Sequence, residues 1–476
     1  MSDFMTTIDE VAEVYDGPHA TPKKIEQGPY FLSISSLENG ALDLSKSAHL
    51  SEKDFIKWTK RVTPTVGDVL FSYETRLGDA ALMSPNVKAC LGRRMGLLRP
   101  NTEKVIPEYL LYAYLAPAFQ GVIKSKTIHG ATVNRIALKE LPDFPIRVPP
   151  KEEQEEVVSV LKSIDSKIEL NRQINQTLEQ IAQAIFKSWF VDFEPVKAKI
   201  QAKQNGQDPE RATMRAISGL TDEQLDQLSK EHDAQGSSSV AGGRTPGATL
   251  QQLTTTAALF PNELEDSEIG EIPKGWSYGS LNDLCELNAN SWTKKNKPDE
   301  VWYVDLANTK NGIVEEIQYF TWEESPSRAR RIVKPGDTIV GTVRPGNRSF
   351  ALIGNGDKKL TASTGFAVLT PKKEEYREYI YIAATGDSNI ERLAHLADGA
   401  AYPAVRPEVV TQMEVVVPNE EVFLKYSEMT HSLFLFIENN LQQAEFLASC
   451  RDTLLPKLLS GQVIGKRAQI QMEEIA

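Results

Sequence analysis

An apolar seam with a 3.5-residue repeat constrains this chain more than any other feature. Between Glu152 and Asp192, apolar residues recur in steps of three and four: Val157, Leu161, Ile164 and Ile168, then Leu178, Ile185 and Trp189. Written as heptads, one seam position holds Val157, Ile164, Asn171, Leu178 and Ile185. The other holds Leu161, Ile168, Asn175, Ala182 and Trp189. Such spacing keeps one face of a helix against a partner helix along its whole length, which is the pattern of a coiled coil. No Gly or Pro interrupts the run, whereas Pro149 and Pro150 precede it and Pro195 follows it. The stretch predicts a rod of about 60 Å at ~1.5 Å per residue. Asparagines in the seam weaken it but fix register.

The partner lies in the same chain. The stretch from Glu420 to Ser460 also reads as a long helix and matches the first at a constant offset of 269: Ile168 with Ile437, Glu169 with Glu438, Asn171 with Asn440, Leu178 with Leu447. The offset persists outside the helices, where Gly67-Asp68 matches Gly336-Asp337, Gly130 matches Gly399, and Val148-Pro149 matches Val417-Pro418. Upstream, Tyr30-Phe31-Leu32 matches Trp302-Tyr303-Val304 at 272, so a small insertion separates the blocks. Repeats of this kind decide architecture. Each globular domain immediately precedes its helix. Parallel helices would crowd both domains at one end, so an antiparallel pair with a pseudo-two-fold is expected. Such a pair could bring Asn171 and Asn440 together.

The expected fold is therefore α/β (α+β), with two similar globular domains separated by an antiparallel two-helix coiled coil. Residues 1–150 form the first domain, 151–195 the first long helix, 196–260 a polar linker, 261–419 the second domain, 420–462 the second long helix and 463–476 a tail. In the first domain, Ile8 to Val14 reads as a short opening element and Tyr30 to Ile34 as a strand before a Glu38-Asn39-Gly40 turn. The Gly67-Asp68 turn feeds an apolar strand ending at Phe71, Pro107 to Leu115 reads as a helix, and Phe144 to Val148 as a strand. The linker carries Gly236-Ser237-Ser238-Ser239 and Gly242-Gly243. Apart from a short helix from Thr221 to Lys230, it is expected to be irregular and partly disordered.

Three isolated cysteines, Cys90, Cys285 and Cys450, argue against a disulfide framework or a zinc site and suit a reducing cytoplasm. No apolar run approaches the ~18 residues of a membrane span, so neither membrane insertion nor secretion is expected. The net charge of −12 is unusual for a nucleic-acid binder, but basic residues cluster locally. The clusters are Lys53, Lys57, Lys60 and Arg61; Arg93, Arg94 and Arg99; Arg328, Arg330, Arg331 and Lys334; and Arg344 with Arg348. A patch, not the total, governs DNA affinity. Motifs for chemistry are missing. Gly461 to Arg467 has the wrong spacing for a phosphate loop, and no Gly-x-Gly-x-x-Gly, Gly-x-Ser-x-Gly or Asn/Asp-Pro-Pro-Tyr stretch occurs. The histidines do not pair at metal-ligand spacing. The Gly-Asp pairs read as turn caps, since each stands just before an apolar strand. No active site is expected in this chain.

Three stretches around the long helices resemble specificity subunits of type I restriction-modification systems. They are Pro149-Pro150-Lys151-Glu152-Glu153-Gln154, Ile164 to Asn171 (IDSKIELN), and Leu178 to Phe190 (LEQIAQAIFKSWF). Phe260-Pro261-Asn262-Glu263, the entry Gly270 to Trp276 (GEIPKGW) and Thr453 to Gly461 (TLLPKLLSG) are similar to the same family. The resemblance covers nearly the whole chain and is most specific in the helices. It implies two target-recognition domains, each reading half of a bipartite double-stranded DNA target. It further implies docking of two methyltransferase subunits that modify adenine N6, and of ATP-dependent restriction subunits. S-adenosylmethionine, ATP and Mg would then sit on those partners, with no cofactor in this chain. Tyr73, Arg76, Arg94, Arg344 and Arg348 are the expected DNA contacts, in two matched loops after the Gly-Asp strands. Asn171 and Asn440 are expected to set coil register. The competing expectations are a coiled-coil adaptor whose domains bind proteins, and an enzyme with an unrecognised site.

Overall fold

The computed structural model describes residues 4–38, 40–130, 133–235, 250–268, 270–356, 359–399 and 402–463. The chain divides into two compact units. The first comprises residues 1–172 with 441–476, and the second residues 173–440. Both long helices form, Lys151–Phe190 and Glu420–Leu459, each of 40 residues. Each unit therefore contains one globular domain and part of the helix pair.

In the first unit, a four-stranded sheet orders Ala12–Asp16, Met95–Pro100, Val69–Ser72 and Ala80–Leu82, all antiparallel. A second sheet pairs Ile25–Phe31 antiparallel to Ala48–His49 and parallel to Ala89–Cys90. The helices Pro107–Leu115 and Pro117–Ser125 pack on the first sheet, each opened by a proline that needs no N–H partner there. The expected strand from Tyr30 to Ile34 ends early: it stops at Phe31, and Ile34–Ser36 turns as a short 3₁₀ segment with the Ser33 hydroxyl accepting from the Ser35 N–H. The opening element is a short helix, Ile8–Val11, running into the strand Ala12–Asp16. Asn39, in the expected turn, lies outside the described residues, as do residues 464–476 of the expected tail.

The second unit repeats this plan internally. Its four-stranded sheet orders Cys285–Leu287, Phe366–Pro371, Thr338–Gly341 and Phe350–Leu352, again antiparallel. Its mixed sheet sets Glu300–Val304 parallel to Leu360–Ser363 and antiparallel to Gln318–Thr321. Helices Arg377–Thr385 and Asp387–Leu396 stand where the first unit has its own pair. The matched Gly-Asp turns explain part of the repeat. Gly67 and Gly336 have φ of 87° and 89°, a region that favours glycine. Asp68 accepts from the Thr65 N–H and Asp337 from the Lys334 N–H, both at 2.8 Å.

The helices pair antiparallel within each unit. In the first, Arg147 just ahead of one helix donates to the Leu459 carbonyl near the end of the other (3.1 Å). Arg451 meets Asp165 (3.1 Å), and Asn171 donates to Gln443 (2.8 Å). Val157, Leu161, Ile164, Ile168 and Asn171 are all buried, as the seam requires. Gln154 fastens the domain to its helix: its amide accepts from Ile106 N–H and donates to the Lys104 and Pro149 carbonyls. In the second unit, Asn440 donates to Asn175 (2.8 Å), and Phe190 packs edge-on against Tyr426.

The linker expectation needs correction. Residues 196–260 carry most of four helices, Glu194–Gln204, Pro209–Ser218, Asp222–Gln235 and Leu250–Ala258, which pack into the second unit's core. Val196, Met214, Ile217, Leu225, Leu253 and Ala257 are buried there with Trp189, Phe260 and Trp276. The buried Lys199 ammonium donates to the Ala257 and Phe260 carbonyls and pairs with Glu210 at 2.8 Å. The helix expected from Thr221 does form, with Thr221 and Gln224 exchanging cap hydrogen bonds. The Gly/Ser stretch 236–243 lies outside the described residues.

Candidate nucleic-acid interface

The two expected loops occupy equivalent places in their own units and are held by the same backbone hydrogen bonds. In the first unit, Thr75 N–H donates to the Asn134 carbonyl and Ile136 N–H to the Tyr73 carbonyl (3.1 and 2.9 Å). In the second, Arg344 N–H donates to the Pro403 carbonyl and Val405 N–H to the Thr342 carbonyl (2.7 and 2.9 Å). Every partner obeys the sequence offset of 269. Thr75 and Arg344 both take left-handed backbone, φ 69° and 48°. The flanking glycines are equally fixed, since a Cβ on Gly130 would meet the Val133 carbonyl oxygen at 2.5 Å and one on Gly399 the Tyr402 carbonyl oxygen at 3.1 Å.

On this shared frame the side chains differ. Tyr73 is a core residue, 5% exposed, which leaves it no surface from which to reach a base. Burial, and then the Asp16 carboxylate, push its phenol above the ordinary tyrosine range. Arg76 is exposed and paired with Asp79 at 2.5 Å. Arg94, itself at φ 70°, pairs with Glu74 at 3.0 Å and donates to the Thr75 hydroxyl at 3.2 Å. In the second unit the Arg344 guanidinium lies 4.7 Å from the Tyr402 ring centroid, and Tyr402 is 72% exposed. Arg348 donates to Asn311 (2.9 Å) and pairs with the exposed Asp387 (2.7 Å). The structure thus brings Arg76 and Arg94 to one loop cluster and Arg344 and Arg348 to its counterpart, and withdraws Tyr73 into the core.

Tyr402 was not singled out from the sequence. Its signal was there: it stands opposite Val133 in the matched Gly130/Gly399 loops, an aromatic where the first half has an aliphatic residue. Arg99, grouped with Arg93 and Arg94 by sequence, is structural. Its guanidinium makes two hydrogen bonds to Asp68, at 3.0 and 2.7 Å, and one to the Thr63 carbonyl. Asn171 and Asn440 lie on the paired helices, away from these loops in sequence and fold, each hydrogen-bonded across the pair in its own unit. Among the described residues, no helix is long and apolar enough to cross a membrane.

Comparison with known proteins agrees with the duplicated layout. A family model, the type I restriction modification DNA specificity domain, matches residues 1–180 and 273–448. The chain is 28% identical over 419 residues to the type I restriction enzyme HindI specificity subunit of Haemophilus influenzae, spanning 83% of this chain and 86% of that protein. It is 22% identical over 456 residues to the MjaIX specificity subunit of Methanocaldococcus jannaschii, spanning 94% and 87%. Among solved structures, it is similar to a type I restriction-modification S subunit from M. genitalium, with 13% identity, a TM-score of 0.45 and 95% of each chain covered. With the family model matching both halves of the repeat, the chain belongs to the DNA specificity family of type I restriction-modification systems.

Proposed function

We propose that this specificity subunit reads an asymmetric, two-part DNA target, one half with each loop cluster, and brings that target to partner enzymes. The observation that carries the reading is the loop frame, built twice from the same hydrogen bonds with different side chains on it. In this reading Arg76 and Arg94 face one half-site, and Arg344, Arg348 and Tyr402 the other. Arginine suits the task because its planar fork matches phosphate oxygens or the O6/N7 edge of guanine. Ion pairs such as Arg348–Asp387 hold the guanidinium until DNA replaces the carboxylate.

The chain acts by binding, and catalysis belongs to its partners. These are two methyltransferase subunits using S-adenosylmethionine on adenine N6, joined by ATP- and Mg-dependent restriction subunits, in the cytoplasm. Exposed apolar side chains on the long helices support docking there: Leu170 and Phe446 in the first unit, Ile174, Ile181, Leu435 and Phe436 in the second. Exposed groups of this size mark interaction surfaces.

The deciding experiment maps adenine methylation in cells with and without this chain. A two-part motif that disappears on deletion is expected. An unchanged methylome, with no sequence-selective DNA binding by the assembled complex, would sink the reading.

A further inference from the structure

Beside the first unit's loop cluster lies a cleft of about 270 Å³ walled by Asp16, His19, Lys57, Trp58, Lys60 and Arg61. Its position follows from the sheet. Gly17 N–H donates to the Met95 carbonyl at 2.9 Å, which sets Asp16 beside the Arg93–Arg94 corner. Asp16 also faces the buried Tyr73. The cleft is therefore continuous with the loop frame proposed to meet DNA.

Its charge is unbalanced. The Asp16 carboxylate is the one anion in the wall, and it is engaged by His19 at 2.9 Å and, loosely, by Arg61 at 3.9 Å. Lys57 and Lys60 are exposed and have no anionic partner among the described residues. The Lys57 ammonium rests 5.7 Å from the Trp58 ring centroid. The Trp58 indole N–H is buried and has no acceptor among the described residues. A buried donor without an acceptor calls for an explanation, and an anion in the cleft supplies one.

We propose that this cleft seats a phosphate of the DNA backbone flanking the first unit's half-site, a sequence-independent contact held by Lys57, Lys60 and Arg61. The inference rests on the DNA-reading function proposed above. Phosphate oxygens accept from the ammonium groups and from the indole N–H, and the weak Arg61–Asp16 pair opens to release a guanidinium. Backbone contacts of this kind fix register without carrying sequence information. The second unit has no equivalent of the helix that carries Lys57. Its chain runs from the strand Gln318–Thr321 to Ala329–Ile332 through turns. The contact is thus a property of one half of the molecule.

The test measures duplex binding by the full chain with its methyltransferase partner, across a salt series, on DNA carrying the mapped target. The triple variant Lys57→Ala/Lys60→Ala/Arg61→Ala should bind about tenfold or more weakly at low salt. Its log affinity should fall less steeply with log salt, by about 0.9 per lost phosphate contact and so by roughly two to three in slope. The methylation motif should not change. Charge reversal in Lys57→Glu/Lys60→Glu should deepen the loss, and both variants are substituted at exposed positions, so assembly with the partner verifies folding. A salt slope equal to that of the unsubstituted chain, or an altered motif, overturns the proposal. If the unsubstituted complex shows neither salt-sensitive binding nor preference for its mapped target, the DNA-reading function fails first and this contact with it.

Discussion

Arg344 holds a left-handed backbone that costs a non-glycine residue about 1–2 kcal/mol. The loop tolerates it because the Arg344 N–H is hydrogen-bonded to Pro403 and its guanidinium stacks on Tyr402. Replacing Arg344 and Arg348 together by Ala removes two donors that are each able to discriminate a base by about 1–3 kcal/mol. Gel-shift titration of the assembled complex should show affinity about 10- to 100-fold lower, or methylation mapping should show one half of the motif relaxed. Unchanged affinity with an unchanged motif would remove this loop from the interface. The seam asparagines make the opposite prediction. Asn171 is 1% exposed and hydrogen-bonded to Gln443, whose own side chain is exposed. Asn171→Leu/Asn440→Leu should raise the melting temperature or permit alternative pairing of the helices, with the methylation motif preserved. Loss of DNA binding in a complex that still assembles normally would contradict a purely register-setting role. The Gly-Asp caps were legible in the sequence because their hydrogen bonds reach only three residues away. Tyr73 was not, because its burial depends on Asp16, a partner 57 positions earlier that no local pattern announces.

The long helices were legible because a heptad seam is local and its period distinctive. The four helices between them were not read, although part of their signal was present. Asp208-Pro209 is a cap followed by a first-turn proline, and Gly219 ends that helix at φ 68°. The polar composition and the Gly/Ser run outweighed it. What makes these helices stable is burial against Trp189, Phe260 and Trp276, a tertiary term that composition does not carry. The second unit's share of the first long helix also holds a titratable contact. The Tyr381 hydroxyl donates to Glu179 at 3.0 Å. Burial raises the Glu179 carboxyl above its ordinary range, more than the Tyr381 hydrogen bond and the nearby Arg348 lower it. A raised carboxyl favours the folded state most when protonated, below the unfolded value near 4.5. That stability is lost as pH rises through the folded value. Glu179→Gln keeps an acceptor for Tyr381 and removes the buried charge. It should raise the melting temperature at pH 7 by a few degrees, about 1 kcal/mol, with the advantage vanishing near pH 4. An equal shift at both pH values would show that ionisation of Glu179 does not matter.

At the scale of the whole chain, the duplication constrains what the DNA target can be. A homodimer of one domain would present the same side chains twice and would read a palindrome. Here one chain carries two frames that match in backbone and differ in what they display. Thr75 stands where Arg344 does, Glu74 where Val343 does, and Asp79 where Arg348 does. The left-handed residue at the loop tip is a small hydroxyl in one unit and a stacked guanidinium in the other. Base edges in the major groove are told apart by their pattern of donors, acceptors and the thymine methyl, so unlike side chains in like positions select unlike bases. The methylation motif should therefore be non-palindromic, with its two parts differing in sequence. The Arg344→Ala/Arg348→Ala chain should relax only one part, while Arg76→Ala/Arg94→Ala should relax only the other. Single-molecule sequencing of genomic DNA from cells carrying each chain provides the measurement. A palindromic motif, or relaxation of both parts by either double variant, would mean that the two loops do not act as independent readers.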